Sequence, residues 1–176
     1  MTVKMEIVPG DLTRQAVDVI VNAANSSLLG GGGVDGAIHA AAGPALLEEC
    51  RRLRRATHPD GLPVGQAVST GAGRLPARWV VHTVGPNRHR GQTDPALLRS
   101  CFVEALRASA ELGARSVAFP AISAGAYGWE VTDVARIAVD AVRSAAAEGV
   151  TGSVELVRFV PFGPAATEAF TQALHA

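Results

Sequence analysis

The residues most able to do chemistry lie between Val17 and Gly43, in VDVIVNAANSSLLGGGGVDGAIHAAAG. An apolar strand leads to Asn22 and Asn25, then to the glycine run Gly30 to Gly33, then to a helix with Asp35 in its first turn. Glycines let backbone N–H groups approach a ligand closely, and a helix start adds orphan donors and partial positive charge. Together they can hold a phosphate or pyrophosphate without Lys or Arg. A second loop, Pro120 to Gly128 (PAISAGAYG), also follows an apolar strand and precedes a helix. Its Ser, Gly and Tyr residues suit wrapping phosphates and covering a sugar.

Other chemistries fit less well. Gly31, Gly33 and Gly36 match G-x-G-x-x-G, the fingerprint of a dinucleotide-dependent oxidoreductase, but Ala23 to Leu29 separate them from the strand. Arg54 and Arg55 also stand where the ribose-binding acid belongs. A P-loop is excluded because no Gly-Lys-Ser/Thr follows the glycines. Ser123 resembles a nucleophile elbow, yet the turn is too long and the downstream histidine, His175, is penultimate. The histidines at 39, 58, 82, 89 and 175 have no ligand spacing, so no metal and no cofactor are implied. His82, inside the apolar run WVVHTVG, reads as a satisfied core residue.

The elements that must position these loops alternate. Strands are predicted at Lys4 to Val8, Val17 to Asn22, Ala67 to Thr70, Trp79 to Val84, Ser116 to Phe119 and Val154 to Val160. Helices are predicted at Val34 to Ala42, Ala45 to Ala56, Asp94 to Leu112, Val131 to Glu148 and Ala165 to His175. This is an α/β pattern, and from Trp79 onward consecutive βαβ crossovers predict at least three neighbouring parallel strands. Ligands in such sheets gather beyond the strands' carboxyl ends, where both glycine loops fall.

At 176 residues and 48% hydrophobic content, one domain with a continuous core is expected. Sixteen basic and sixteen acidic residues give zero formal charge, which argues against general nucleic-acid or membrane-surface binding. The cluster Arg51, Arg52, Arg54 and Arg55 reads as a solvated helix face. Cys50 and Cys101 form no CxxC pair, and Met1 to Gly10 show no export signal, so a cytoplasmic setting is expected.

Taken together, VNAAN, LLGGGGVDGAIH, LPARWVVHTVGP and SVAFPAISAGAYG closely resemble a macrodomain of the MacroD type, over nearly the whole chain. The resemblance implies a three-layer α/β/α fold with a mixed, largely parallel six-stranded sheet, and ADP-ribose in a cleft at the strand ends. It implies that Asp11 bonds the adenine amino group beside Leu12, and that Phe159 packs near the adenine ring. Gly33 and Val34 would line the pyrophosphate and distal ribose from one side, with Ser123, Ala124, Gly125, Ala126 and Tyr127 closing from the other. Asn25 would hold the distal ribose and Asp35 would orient or activate the hydrolytic water. The implied activity removes mono-ADP-ribose from acidic side chains of proteins, or deacetylates O-acetyl-ADP-ribose; a non-catalytic reader of ADP-ribose is the alternative. This sequence departs from the family in Ala124 where Thr is common, in the small Ala126, and in LPVG ahead of Ala67. Because a helix dipole favours a carboxylate in its ionised form, Asp35 suits positioning and electrostatic work better than simple proton abstraction.

Overall fold

A computed structural model describes residues 2–176. The strands are β1 (Lys4–Ile7), β2 (Val19–Ala24), β3 (Ala67–Gly71), β4 (Trp79–Val84), β5 (Ser116–Phe119) and β6 (Leu156–Phe159). The helices are α1 (Gly33–Ala42), α2 (Pro44–Ala56), α3 (Pro95–Glu111), α4 (Val131–Ala147) and α5 (Pro164–His175). One six-stranded sheet has the order β1-β6-β5-β2-β4-β3. Every neighbouring pair is parallel except β3 against β4.

The period-two alternation of β2 explains the layers. Val19 and Val21 face the core shared with α3, α4 and α5, while Ile20 and Ala24 face the core shared with α1 and α2. Both faces are covered, so β2 and β5 at the sheet centre read as nearly continuous apolar runs.

More than three neighbouring strands are parallel, as expected, but two details differ. β4, β5 and β6 are parallel, but β4 and β5 are not neighbours: β2 lies between them, paired to both. A crossover from β4 through α3 therefore skips one position, which chain order alone does not reveal. The second strand also runs two residues later than predicted, because Asp18 is occupied below it. Its backbone oxygen accepts from the N–H groups of Arg78 and Trp79, and its carboxylate accepts from Arg115 N–H at 2.7 Å. Asp18 thus ties together the starts of β2, β4 and β5, and the strand continues to Ala24, delivering Asn25 to its carboxyl end.

The arginine cluster is only partly a solvated face. Arg55 pairs loosely with Glu48, but Arg54 donates to the carbonyls of Ser27, His58 and Pro59 and so clamps α2 to two loops.

Candidate functional site

α1 begins at Gly33 with Gly32 as its N-cap, so no side chain satisfies the first N–H groups of the helix. The spacing of the glycines has a packing cause. A Cβ on Gly36 would lie 2.6 Å from the carbonyl oxygen of Gly31, which folds back over the first helical turn. A Cβ on Gly31 would lie 2.9 Å from Asn25 Nδ2 and 3.2 Å from an Asp35 carboxylate oxygen. Gly31 therefore sits against both side chains, which the fold brings to one place.

Each is held from behind. Asn25 Nδ2 donates to the carbonyl of Gly30 at 2.8 Å, and its oxygen accepts from the Ser27 hydroxyl. Asp35 is buried; its Oδ1 accepts from Asn22 Nδ2 at 2.9 Å, with His39 Nε2 one turn along the helix at 3.4 Å. Asp35 Oδ2 is closed off from solvent and accepts no hydrogen bond among the described residues.

Asn22 opens a buried polar chain. Its other amide hydrogen points to His82 Nδ1 at 3.1 Å, and His82 Nε2 lies 2.9 Å from the Thr70 hydroxyl, which donates to the carbonyl of Gly71. These partners assign a neutral ring with its proton on Nε2. Burial, with His39 nearby, lowers the His82 pKa to about 3. His82 is therefore a satisfied core residue as expected, and the fold carries a pH cost. Because the folded value lies below the unfolded one near 6.5, its contribution is complete above about pH 6.5 and is lost as pH falls towards 3. We expect stability to decline over that window by up to about 1.4 kcal/mol per pH unit. Urea midpoints between pH 7 and 4 should show this fall, and His82→Gln should flatten it; equal slopes in both proteins would assign the loss elsewhere.

The second loop is anchored at Pro86. Ser123 Oγ donates to the Pro86 carbonyl at 2.8 Å, and Trp129 Nε1 donates to the same oxygen at 3.1 Å. Ser123 adopts a left-handed backbone (φ 68°), a strained conformation for a side chain, held by this buried bond. Its hydroxyl is a structural anchor, not a nucleophile. Cys50 and Cys101 offer none either, since burial raises both thiols to about 11. The N–H groups of Ser123, Ala126 and Tyr127 donate to no backbone oxygen and remain free to meet a ligand.

Between the loops lie two adjoining chambers. The larger, about 730 Å³, is lined by Asp11, Leu12, Gly125 and Phe162, among others. The smaller, about 450 Å³, is lined by Asn25, Asp35, Ser123, Ala126 and Tyr127. Gly33, Val34 and Ala124 border both, so the chambers form one cleft along the start of α1. Every site residue proposed from the sequence lines this cleft except Phe159. That ring is fully buried among Phe119 and Phe170, with centroids 6.1 and 5.1 Å away. The aromatic ring lining the larger chamber is Phe162, which is 88% exposed.

At the outer end, Asp11 caps a 3-10 turn (Leu12–Arg14), and Oδ1 accepts from both N–H and hydroxyl of Thr13. These bonds, led by the hydroxyl, lower its pKa, keeping an ionised acceptor at the rim. Sequence reasoning missed Phe162 at the cleft and the contacts of Asn22 and His39 with Asp35. An Asn in an otherwise apolar strand and a His four residues after Asp35 were the available signals for two of them.

Known proteins resemble this chain as follows. The Macro domain family model matches residues 21–138, a span holding both glycine loops. A Streptomyces griseus protein described as macro domain-containing is 60% identical over 170 residues, covering 97% of this chain and 94% of its own. The O-acetyl-ADP-ribose deacetylase of Escherichia coli K12 is 53% identical over 143 residues, covering 81% of this chain and 80% of its own. Among solved structures, the Oceanobacillus iheyensis macrodomain with ADP superposes with a TM-score of 0.87 at 39% identity, covering 97% of this chain and 90% of that one. A Trypanosoma brucei macrodomain in complex with ADP-ribose superposes at 0.86 with 36% identity, covering 97% of this chain and 68% of that one. With a family model matching residues 21–138, relatives aligned along almost its full length and a fold superposing at a TM-score of 0.87, the chain belongs to the macrodomain family.

Proposed function

We propose that the protein binds ADP-ribose in the double chamber and hydrolyses the ester that joins its distal ribose to an acyl group, whether an acidic side chain of a protein or acetate. The observation that carries this reading is the meeting of Asn25 and the unpartnered Oδ2 of Asp35 around Gly31, at the inner end of a cleft whose middle is lined by free N–H donors. A binding module needs the donors but has no use for a buried carboxylate with an idle oxygen.

In this reading the adenine lies in the larger chamber, between Phe162 and the Asp11 carboxylate. The pyrophosphate meets the start of α1 and the second loop, where backbone donors replace its hydration. Asn25 fixes the distal ribose. Asp35 aligns a water on the anomeric carbon and stabilises the positive charge that develops there. Where the acyl group is carried on the anomeric oxygen, the water oxygen bonds to that carbon, the carbon–oxygen bond breaks with its electron pair leaving on the acyl carboxylate, and the water's surplus proton passes to solvent. An acetyl group on another ribose hydroxyl is released by attack of the water on its carbonyl carbon, the acyl–oxygen bond breaking to give acetate and the free hydroxyl. Asn22, donating to Oδ1, leaves Oδ2 as the oxygen free for the water.

The deciding experiment incubates the protein, in the presence of EDTA, with peptides mono-ADP-ribosylated on Glu, Ser or Arg and with O-acetyl-ADP-ribose. Release of ADP-ribose or acetate from the ester substrates supports the hydrolase. Binding without release from any of them supports the reader, which the closure of Oδ2 from solvent also fits.

Gly125 tests where the pyrophosphate runs. It has φ 74°, and a Cβ there would meet nothing within 4 Å. Gly125→Glu should therefore fold, at a cost of about 1–2 kcal/mol for the left-handed backbone. Its carboxylate should lower ADP-ribose affinity by about a hundredfold or more through like-charge repulsion. Calorimetry alongside circular dichroism checks this; native dichroism with unchanged affinity would place the ligand away from the loop.

A further inference from the structure

A third chamber continues the cleft past the proposed distal-ribose position. It measures about 410 Å³ and shares Asn25, Gly85 and Tyr127 with the chamber that holds Asp35. A group attached to the ribose can extend into it. Asn87, Arg90 and Gln92 also line it, and neither an Asp nor a Glu does.

The polarity of this lining is settled by its own hydrogen bonds. Gln92 Oε1 accepts from Asn87 N–H at 2.8 Å, and Asn87 Oδ1 accepts from His89 N–H at 3.0 Å. Only the oxygen end of an amide can accept, so the orientation of both side chains is fixed. Both NH2 groups are left without a protein acceptor among the described residues. The Arg90 guanidinium likewise pairs with no carboxylate or carbonyl among the described residues. The chamber therefore presents a guanidinium and two amide donors with no competing anion.

The donors are also held to the second glycine loop. Asn87 caps a 3-10 turn (Arg88–Arg90) closed by Gly91 at φ 78°, and Arg88 N–H donates to the Tyr127 carbonyl at 2.8 Å. The Arg88 guanidinium lies 4.7 Å from the centre of the Trp129 ring. Ligand closure by Tyr127 and presentation of Arg90 thus belong to one hydrogen-bonded unit.

Resting on the hydrolase reading, we infer that this chamber is a leaving-group subsite in which Arg90, with the Asn87 and Gln92 amides, receives the acyl carboxylate as it departs from the ribose. A planar guanidinium matches a carboxylate bidentately, and the pairing strengthens as negative charge accumulates on the departing oxygen. The same cation opposes a guanidinium leaving group, so the subsite favours ester linkages to acidic side chains over linkages to arginine.

The test uses a Glu-linked mono-ADP-ribosyl peptide with the wild type, Arg90→Ala and Arg90→Lys. Arg90 is exposed and its side chain makes no hydrogen bond or ion pair among the described residues, so both variants should fold. Arg90→Ala should lower kcat/KM about tenfold while ADP-ribose affinity stays within about twofold, and Arg90→Lys should recover part of the loss by restoring charge without the fork. In a parallel titration, N-acetylglutamate should bind the wild-type protein saturated with ADP-ribose and fail to bind Arg90→Ala. Equal turnover of the peptide by Arg90→Ala and wild type overturns the subsite while leaving the hydrolase reading intact. If the wild type releases nothing, the hydrolase reading and the leaving-group role fall together, and Arg90-dependent N-acetylglutamate binding then reports only a carboxylate site.

Discussion

Asp35→Asn should bind ADP-ribose within a fewfold of the wild type and release it from a Glu-linked peptide about a hundredfold to ten-thousandfold more slowly. The substitution is close to isosteric, and the amide oxygen can still accept from Asn22 Nδ2, which anchors the wild-type Oδ1 at 2.9 Å. The fold around α1 should therefore survive. What disappears is the negative charge beside the anomeric carbon and the second acceptor that aligns water, and losing one positioned catalytic group commonly costs this much. The proposed phosphate contacts come from backbone N–H groups that the change does not touch, so binding and turnover should separate. Asn25→Ala should slow release as well, and the double variant should be much less than additively worse if the two residues serve one step. Single-turnover kinetics of the three variants beside calorimetry provides the check. Release by Asp35→Asn at the wild-type rate would remove Asp35 from the mechanism.

Phe159→Ala and Phe162→Ala should fail in opposite ways, although the residues are three apart. Phe159 stands within a run of four rings, Phe102, Phe119, Phe159 and Phe170, whose successive centroids lie 5.2, 6.1 and 5.1 Å apart. Truncating it leaves a cavity in a core that cannot collapse around it, costing about 3–5 kcal/mol. At this chain length that lowers the melting temperature by about 10 °C. Phe162 supports nothing comparable, so its truncation should change stability by under about 0.5 kcal/mol while weakening ADP-ribose binding about tenfold, the order expected for losing a ring stacked on a base. Thermal melts and calorimetry on the two variants decide the assignment; a stable Phe159→Ala with weakened binding would return the adenine contact to Phe159.

That exchange shows where reading the sequence stopped working. The alternation along β2, the glycine stops after α1 and the apolar runs of β4 and β5 are local signals, so the elements and their layers were legible from residue types alone. The insertion of β2 between β4 and β5 was not, because strand order depends on which surfaces the helices cover. The placement at the cleft of the residues on the two glycine loops and the Asp11 turn was legible because each sits in a short motif whose backbone is determined locally. Phe159 and Phe162 flank the end of β6 in RFVPFGP, and which ring turns inward depends on a register that only the packed sheet fixes. Asn22 was visible as a polar residue in an apolar strand, but its work became apparent only once α1 crossed over β2 and set Asp35 against it.

The absence of side-chain cations along the middle of the cleft, in a protein with no net charge, has a kinetic meaning. On the proposed reading, a dianionic pyrophosphate held by neutral N–H dipoles is not drawn in from a distance, so its capture should proceed at the ordinary unsteered rate and should not slow as salt is added. Recognition is exerted only at contact, after water has been displaced.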